Sequence, residues 1–282
     1  MSNDGVFALT WNRIRLLKES PVGMVGAFLV LFWIFVAILA PWLAPYDPNA
    51  NDMEALMSPP TVAHWLGTDN SGRDILSRIM WGSRTVFKVA PFAVFCAYVI
   101  GCLLGLMAGY YRGWVDSLVN RVADVLLSFP AIVLYIIVIM RLGASATNIV
   151  FAVIFISSPQ IIRIVRGMTL ELREREYVAA AKMRGESALY IMLVEILPNA
   201  RGPLIVDACL RMGYTTIAIG VLGFLGLGLP PPDPDWGGMV KETYAMMSVF
   251  PHMSLFPAIA ISSLVVGLSL LADGMREISL RD

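Results

Sequence analysis

The sequence is short of the residue types on which catalysis and metal binding depend. Its 282 residues hold two histidines, three cysteines and four lysines, and charged residues make up only 15% of the chain. None of the lysines (Lys18, Lys88, Lys182, Lys241) stands in Gly-x-x-x-x-Gly-Lys-Ser/Thr, the loop that cradles nucleotide phosphates, so ATP hydrolysis is not expected of this chain. His64 and His252 lack a second ligand nearby in sequence. Cys96 and Cys102 fall on different faces of one helix and Cys209 on another, and all three read as small apolar packing residues. No Ser/His/Asp set and no pair of carboxylates comes together. That leaves no enzymatic reading and no cofactor or metal of the chain's own. Formal net charge is zero, and no nucleic-acid partner is expected.

What the chain has in abundance is apolar. Hydrophobic residues are 57% of it and the mean hydropathy is +0.71, outside the range of soluble domains. No Asp, Glu, Lys or Arg occurs in 20–46, 89–111, 142–162, 212–232 or 243–272, and each run reaches the roughly 20 residues that cross a bilayer as helix. A sixth run, 125–140, is shorter than a ~30 Å hydrocarbon core requires at about 1.5 Å per residue. It borrows the preceding turn, with Arg121 and Asp124 near the interface. The expectation is an all-α, polytopic membrane protein of six helices. The first run is too long for a cleaved signal peptide and reads as a retained anchor. With the N-terminus inside, Lys and Arg number three before the first span, two around Arg112 and Arg121, seven from Arg163 to Arg201 and two at the end. Six lie outside and Arg211 falls within a span. That excess favours both termini in the cytoplasm.

Residues 8–20 suit a short helix on the inner surface. Pro41, Trp42, Pro45 and Tyr46 mark the far interface. The Gly- and Asp-rich stretch 64–84 lacks the ligand alternation of a calcium loop; it reads as a turn and then an amphipathic interfacial helix from about Asp74. Gly101, Gly105 and Gly109, at four-residue intervals, form one small helix face for close packing. A short inner turn at 112–116 precedes the third span, which Pro130 kinks, and Pro159 interrupts the fourth near its inner end. Asp207 and Arg211, at i,i+4, allow two readings. They are an off-centre pair with Arg211 snorkelling, or they line the pathway or its inner gate. Glycines from Gly220 to Gly228 suit packing or a hinge. The outer loop 230–239 offers an exposed Trp236 to a partner protein or to the interface.

The longest polar segment between apolar runs is Glu176-Tyr-Val-Ala-Ala-Ala-Lys-Met-Arg-Gly185, continuing to Ile196-Leu197-Pro198. Ala179, Ala180 and Ala181 favour helix with little bulk, Gly185 turns the chain, Ser187 caps a second stretch and Pro198 closes it. A smooth helix–turn–helix hairpin is expected. Ala180-Ala181, Gly185 four residues on, Ile196 eleven beyond and Pro198 at thirteen resemble the EAA loop of permease subunits of ATP-binding-cassette importers. Independently, Gly67-Thr68-Asp69, Gly72-Arg73-Asp74, Ser77-Arg78 and Gly82-Ser83-Arg84 resemble the C-type subunit of dipeptide and oligopeptide permeases. The resemblance covers nearly the whole chain. It implies a type I importer permease fold in a bacterial inner membrane, with 1–84 leading into a permease core at 85–282 and a coupling loop at about 167–200. It also implies a second homologous permease, two ATP-binding subunits carrying ATP and Mg, and an extracytoplasmic solute-binding protein. Glu176, Ala179, Ala180, Ala181, Gly185, Ile196 and Pro198 would be the coupling loop. Short peptides are the expected substrates, with nickel, glutathione or another small solute as alternatives. A secondary transporter or channel is the rival class, disfavoured because no internal repeat is evident.

Overall fold

The computed structural model describes residues 20–230 and 233–279. The surface helix expected over 8–20 falls outside them, Ser20 excepted. Helix α1 (Pro21–Leu43) starts where the Ser20 hydroxyl accepts a hydrogen bond from Gly23 N at 3.3 Å, with Pro21 at a position that needs no donor. Helix α2 (Ile75–Tyr111) is capped by Asp74, whose carboxylate accepts from Ser77 N at 2.8 Å. The interfacial helix expected from Asp74 is therefore not a separate element. Arg78, Ile79 and Ser83 are buried, and the chain runs through them as one helix of 37 residues.

Helices α3 (Gly113–Leu127) and α4 (Ala131–Leu142) meet at 87°. This corrects the reading of a short turn followed by one kinked span. Pro130 lacks an N–H and drives the residue before it out of helical geometry, so the helix breaks. The twelve residues of α4 reach only about 18 Å. Helix α5 (Ala146–Leu172) passes through Pro159 without ending, a second correction. Then follow α6 (Glu176–Met183), α7 (Ala188–Leu225), α8 (Trp236–Thr243) and α9 (Pro251–Ser279). Among the described residues five helices, namely α1, α2, α5, α7 and α9, are long and apolar enough to cross a membrane, and the bent pair brings the count to as many as six.

The most extensive contact is between α2 and α5. A Cβ built on Gly101 would meet Ile161 at 2.5 Å, on Gly105 Val165 at 2.7 Å, and on Gly109 Thr169 at 2.6 Å. Both series climb together, so the two helices run parallel with their backbones close. Gly105→Leu should cost about 1–3 kcal/mol by overpacking. Gly167→Ala, whose added methyl meets nothing within 4 Å, should be neutral or stabilising. Thermal unfolding in detergent checks both. Helices α1 and α9 also approach through small residues: Gly267 faces Leu29 and Val30, and Trp33 Nε1 donates to Ser263 Oγ at 2.9 Å. Ser20 Oγ donates to Glu277 Oε2 at 2.8 Å, so the start of α1 and the end of α9 lie together at the end of the bundle that bears α6.

Residues 44–74 and α8 close the opposite end. Asp69 pairs with Arg73 at 2.7 Å and with Arg78 at 3.5 Å, and His64 Nδ1 lies 2.9 Å from Asp74. Trp236, expected to be exposed, is 1% exposed. Its ring fills the notch that Gly82 leaves open, and its Nε1 donates to the Ile79 carbonyl at 2.9 Å. A residue so buried meets neither partner nor interface. Asp235 caps α8, accepting from Gly237 N and Gly238 N at 3.2 and 3.3 Å.

Burial pushes the Asp235 carboxyl up to about 6 from an ordinary value of 3.8, against the pull of those two N–H groups. Because the folded-state value is raised, the carboxyl's favourable contribution is complete below about pH 4 and is lost as pH rises through about 6. Asp235→Asn should therefore gain thermal stability relative to wild type as pH rises over that window. Melting curves across it are the check, and a pH-independent difference contradicts the assignment.

Candidate functional site

The hairpin is built as a small packed unit. Val178 and Ala181 on α6 are buried against Ile191, Met192 and Ile196 at the start of α7. The three alanines, expected to leave little bulk on the hairpin surface, do not all lie on it. Ala179 is exposed, Ala180 half-buried, and Ala181 belongs to the core. Ile196 is core as well, while Pro198 is exposed. Glu176 sits in the first turn of α6 and Lys182 in the last, each favourable to the helix dipole. Gly185 follows with φ +78°, its N–H on the Lys182 carbonyl at 3.0 Å and the Glu186 N–H on the Ala181 carbonyl at 3.2 Å. That bond pattern is the glycine-terminated helix stop. A Cβ at Gly185 would meet nothing within 4 Å, so the turn presents open surface. Met183 (84% exposed) and Leu189 flank it.

Ser187 caps α7, accepting from Tyr190 N at 3.2 Å. Pro198 does not close that helix. Residues Ile191–Ile196 form a π turn in which Leu197 N–H reaches Met192 O. The widened turn accommodates the proline that follows, and the helix continues to Leu225. Ion pairs tie the hairpin down. Arg184 reaches Glu195 at 3.1 Å, Arg112 at the end of α2 reaches Glu174 at 2.9 Å, and Arg173 donates to the Tyr110 carbonyl. Sequence reading missed Val178, Met192, Tyr110 and Arg184. A buried 3.6-residue periodicity through Val178 and Ala181 was the available signal for the first.

Farther along α7, Arg211 Nε donates to Asp207 Oδ2 at 2.6 Å and Nη1 to Gln160 Oε1 of α5 at 2.9 Å. The hydroxyl of Tyr98 on α2 donates to the same Asp207 oxygen. Arg211 is 6% exposed and sits midway along the Leu197–Leu225 portion of α7. It does not snorkel to an interface. It is held at both ends, as a buried guanidinium requires. It also forms one wall of a cavity of about 460 Å³ between α4, α5 and α7, with Tyr135, Gln160 and Tyr214. Hairpin and ion pair do not touch, but one unbroken helix carries both. Gly101, Gly105 and Gly109 stand apart from them on the α2–α5 contact.

Among the described residues no group of three or more His, Cys, Asp or Glu is arranged to hold a metal ion.

Residues 101–282 match the family described as binding-protein-dependent transport system inner membrane component, and residues 9–60 match the N-terminal transmembrane domain of oligopeptide transport permease C. The chain is 42% identical over 268 residues to the glutathione transport system permease protein GsiD of Escherichia coli O6:K15:H31, covering 95% of this chain and 88% of that protein. The same figures hold for GsiD of Shigella boydii serotype 4. The GsiD of Pectobacterium atrosepticum is 40% identical over 264 residues, covering 93% and 87%. With its several membrane-length helices, the chain is a multi-pass protein of the bacterial inner membrane, and it belongs to the family of inner membrane permeases of binding-protein-dependent ABC importers, of the oligopeptide type.

Proposed function

We propose that this permease forms half of a pathway for short peptides, glutathione among them, and that the hairpin 176–198 is where a separate ATPase pushes on it. The observation that carries this reading is α7. A single helix begins in the hairpin surface around Gly185 and ends beyond the Arg211 cavity, so a displacement at one end is delivered to the other. An excess of Lys and Arg at the hairpin end supports a cytoplasmic position for that end and for both termini. ATP and Mg belong to two partner ATP-binding subunits, a homologous permease supplies the other half of the pathway, and an extracytoplasmic solute-binding protein delivers substrate. Glutathione enters because relatives of this length and identity carry that name, and it is itself a short peptide with free carboxylates.

Vesicles containing this chain alone should move no solute uphill. Vesicles with the partner permease, the ATPase subunits and the binding protein should take up a tripeptide or glutathione only with ATP. Uphill uptake by the lone chain overturns the reading, and uptake of nickel but not peptide overturns the substrate class.

A further inference from the structure

The cavity beside Arg211 has a selectivity written in its walls. Arg211 is the one charged residue among those that line it, and no carboxylate faces it among the described residues. Asp207, which pairs with the guanidinium and is held by Tyr98, is not part of the lining. Gln160 accepts from Arg211 through Oε1, so its amide N–H₂ is the end left for a ligand. The bonds to Asp207 and Gln160 use two of the five N–H donors of Arg211. Tyr135, Ser157 and Tyr214 add hydroxyls. Apart from Thr215 the remaining walls are apolar, so an anion entering here meets few competing polar groups and a positive field from Arg211 that Asp207 weakens. A volume of about 460 Å³ lies within the size range of small-ligand sites.

From this arrangement we propose that the cavity is a carboxylate-selecting site, where the free carboxylate of a short peptide contacts the Arg211 guanidinium and the Gln160 amide in transit. The peptide class rests on the functional reading above. The anion selection does not, because it follows from the walls alone. Selection at this point favours solutes that bear a terminal acid over amidated or cationic ones of equal size. The contact is partly compensated by Asp207, which keeps it weak enough for release.

The test uses the assembled transporter with Ser157→Cys as a reporter in the cavity wall, each rate being normalised to a free thiol and to the Ser157 background. A negatively charged thiosulfonate should label Cys at this position about tenfold faster than a positively charged one. The double variant Arg211→Gln with Asp207→Asn, which keeps hydrogen-bonding groups in place without charge, should bring the two rates together. Triglycine should slow labelling in the charged protein, and triglycine amide should not. Equal rates for the two reagents in the charged protein, no labelling at all, or equal protection by both peptides overturns the proposal. Protection by neither peptide while ATP-driven peptide uptake is intact overturns the site and leaves the functional reading standing. Anion preference without any peptide uptake overturns the substrate class and leaves the anion selection standing.

Discussion

Asp207→Ala should destabilise the folded protein by about 3–5 kcal/mol, because it strands the Arg211 guanidinium in the interior of the bundle. Three numbers decide that size. An arginine at mid-helix costs about 2.5–3.5 kcal/mol to place in a bilayer even when it can reach water or lipid headgroups. Here the guanidinium is 6% exposed, anchored to Gln160, and meets solvent only through the cavity it lines. The Tyr98 hydroxyl loses its Asp207 acceptor in the same stroke and falls back on the Leu204 carbonyl at 3.2 Å, a net loss of about 0.5–1.5 kcal/mol. The neutral double variant Asp207→Asn with Arg211→Gln should recover most of the loss, since both charges leave together. Unfolding midpoints in detergent compare the three proteins. If the single variant unfolds with the wild type, the pair is not buried as described.

Gly185→Asp should reduce uptake to background while the protein still inserts at close to normal levels. The expected defect is large because it strikes an open contact surface, and the fold cost is small. A non-glycine residue at φ +78° pays about 1–2 kcal/mol of backbone strain, and Asp tolerates this region better than most. The added Cβ meets nothing within 4 Å beyond its neighbours in the chain, so the new side chain points into open space. Any loss of transport must then arise in what docks there. Gly185→Ala separates the two effects. It carries the strain with little bulk and no charge, and should keep a substantial part of the activity. Uptake at the wild-type rate in the Asp variant removes the hairpin from the coupling role.

Much of this architecture was legible because lipid imposes a severe rule on composition. Charge-free runs located the long helices, and the four-residue glycine series on α2 lies along its contact with α5. Gly185 and Ser187 were readable as stop and cap because those roles depend on local backbone chemistry. What could not be read depended on contacts distant in sequence. Ala181 and Ile196 look like surface residues of a smooth helix until the second arm of the hairpin folds over them. Trp236 looks like an interfacial anchor until Gly82, far away in sequence, opens a notch for its ring. Pro198 reads as a terminator because the compensating π turn has no sequence signature. Asp235 appeared as one acid in a proline-rich loop, and its burial came from the small residues that gather round it.

The hydrogen bond between Ser20 and Glu277 also settles a question of parity. A thread whose two described ends meet on one side must have traversed the slab an even number of times, and five straight helices make an odd number. Parallel α2 and α5 demand the same, for each begins where the other begins. The elbow of α3 and α4, neither arm long enough alone, is therefore the missing return journey.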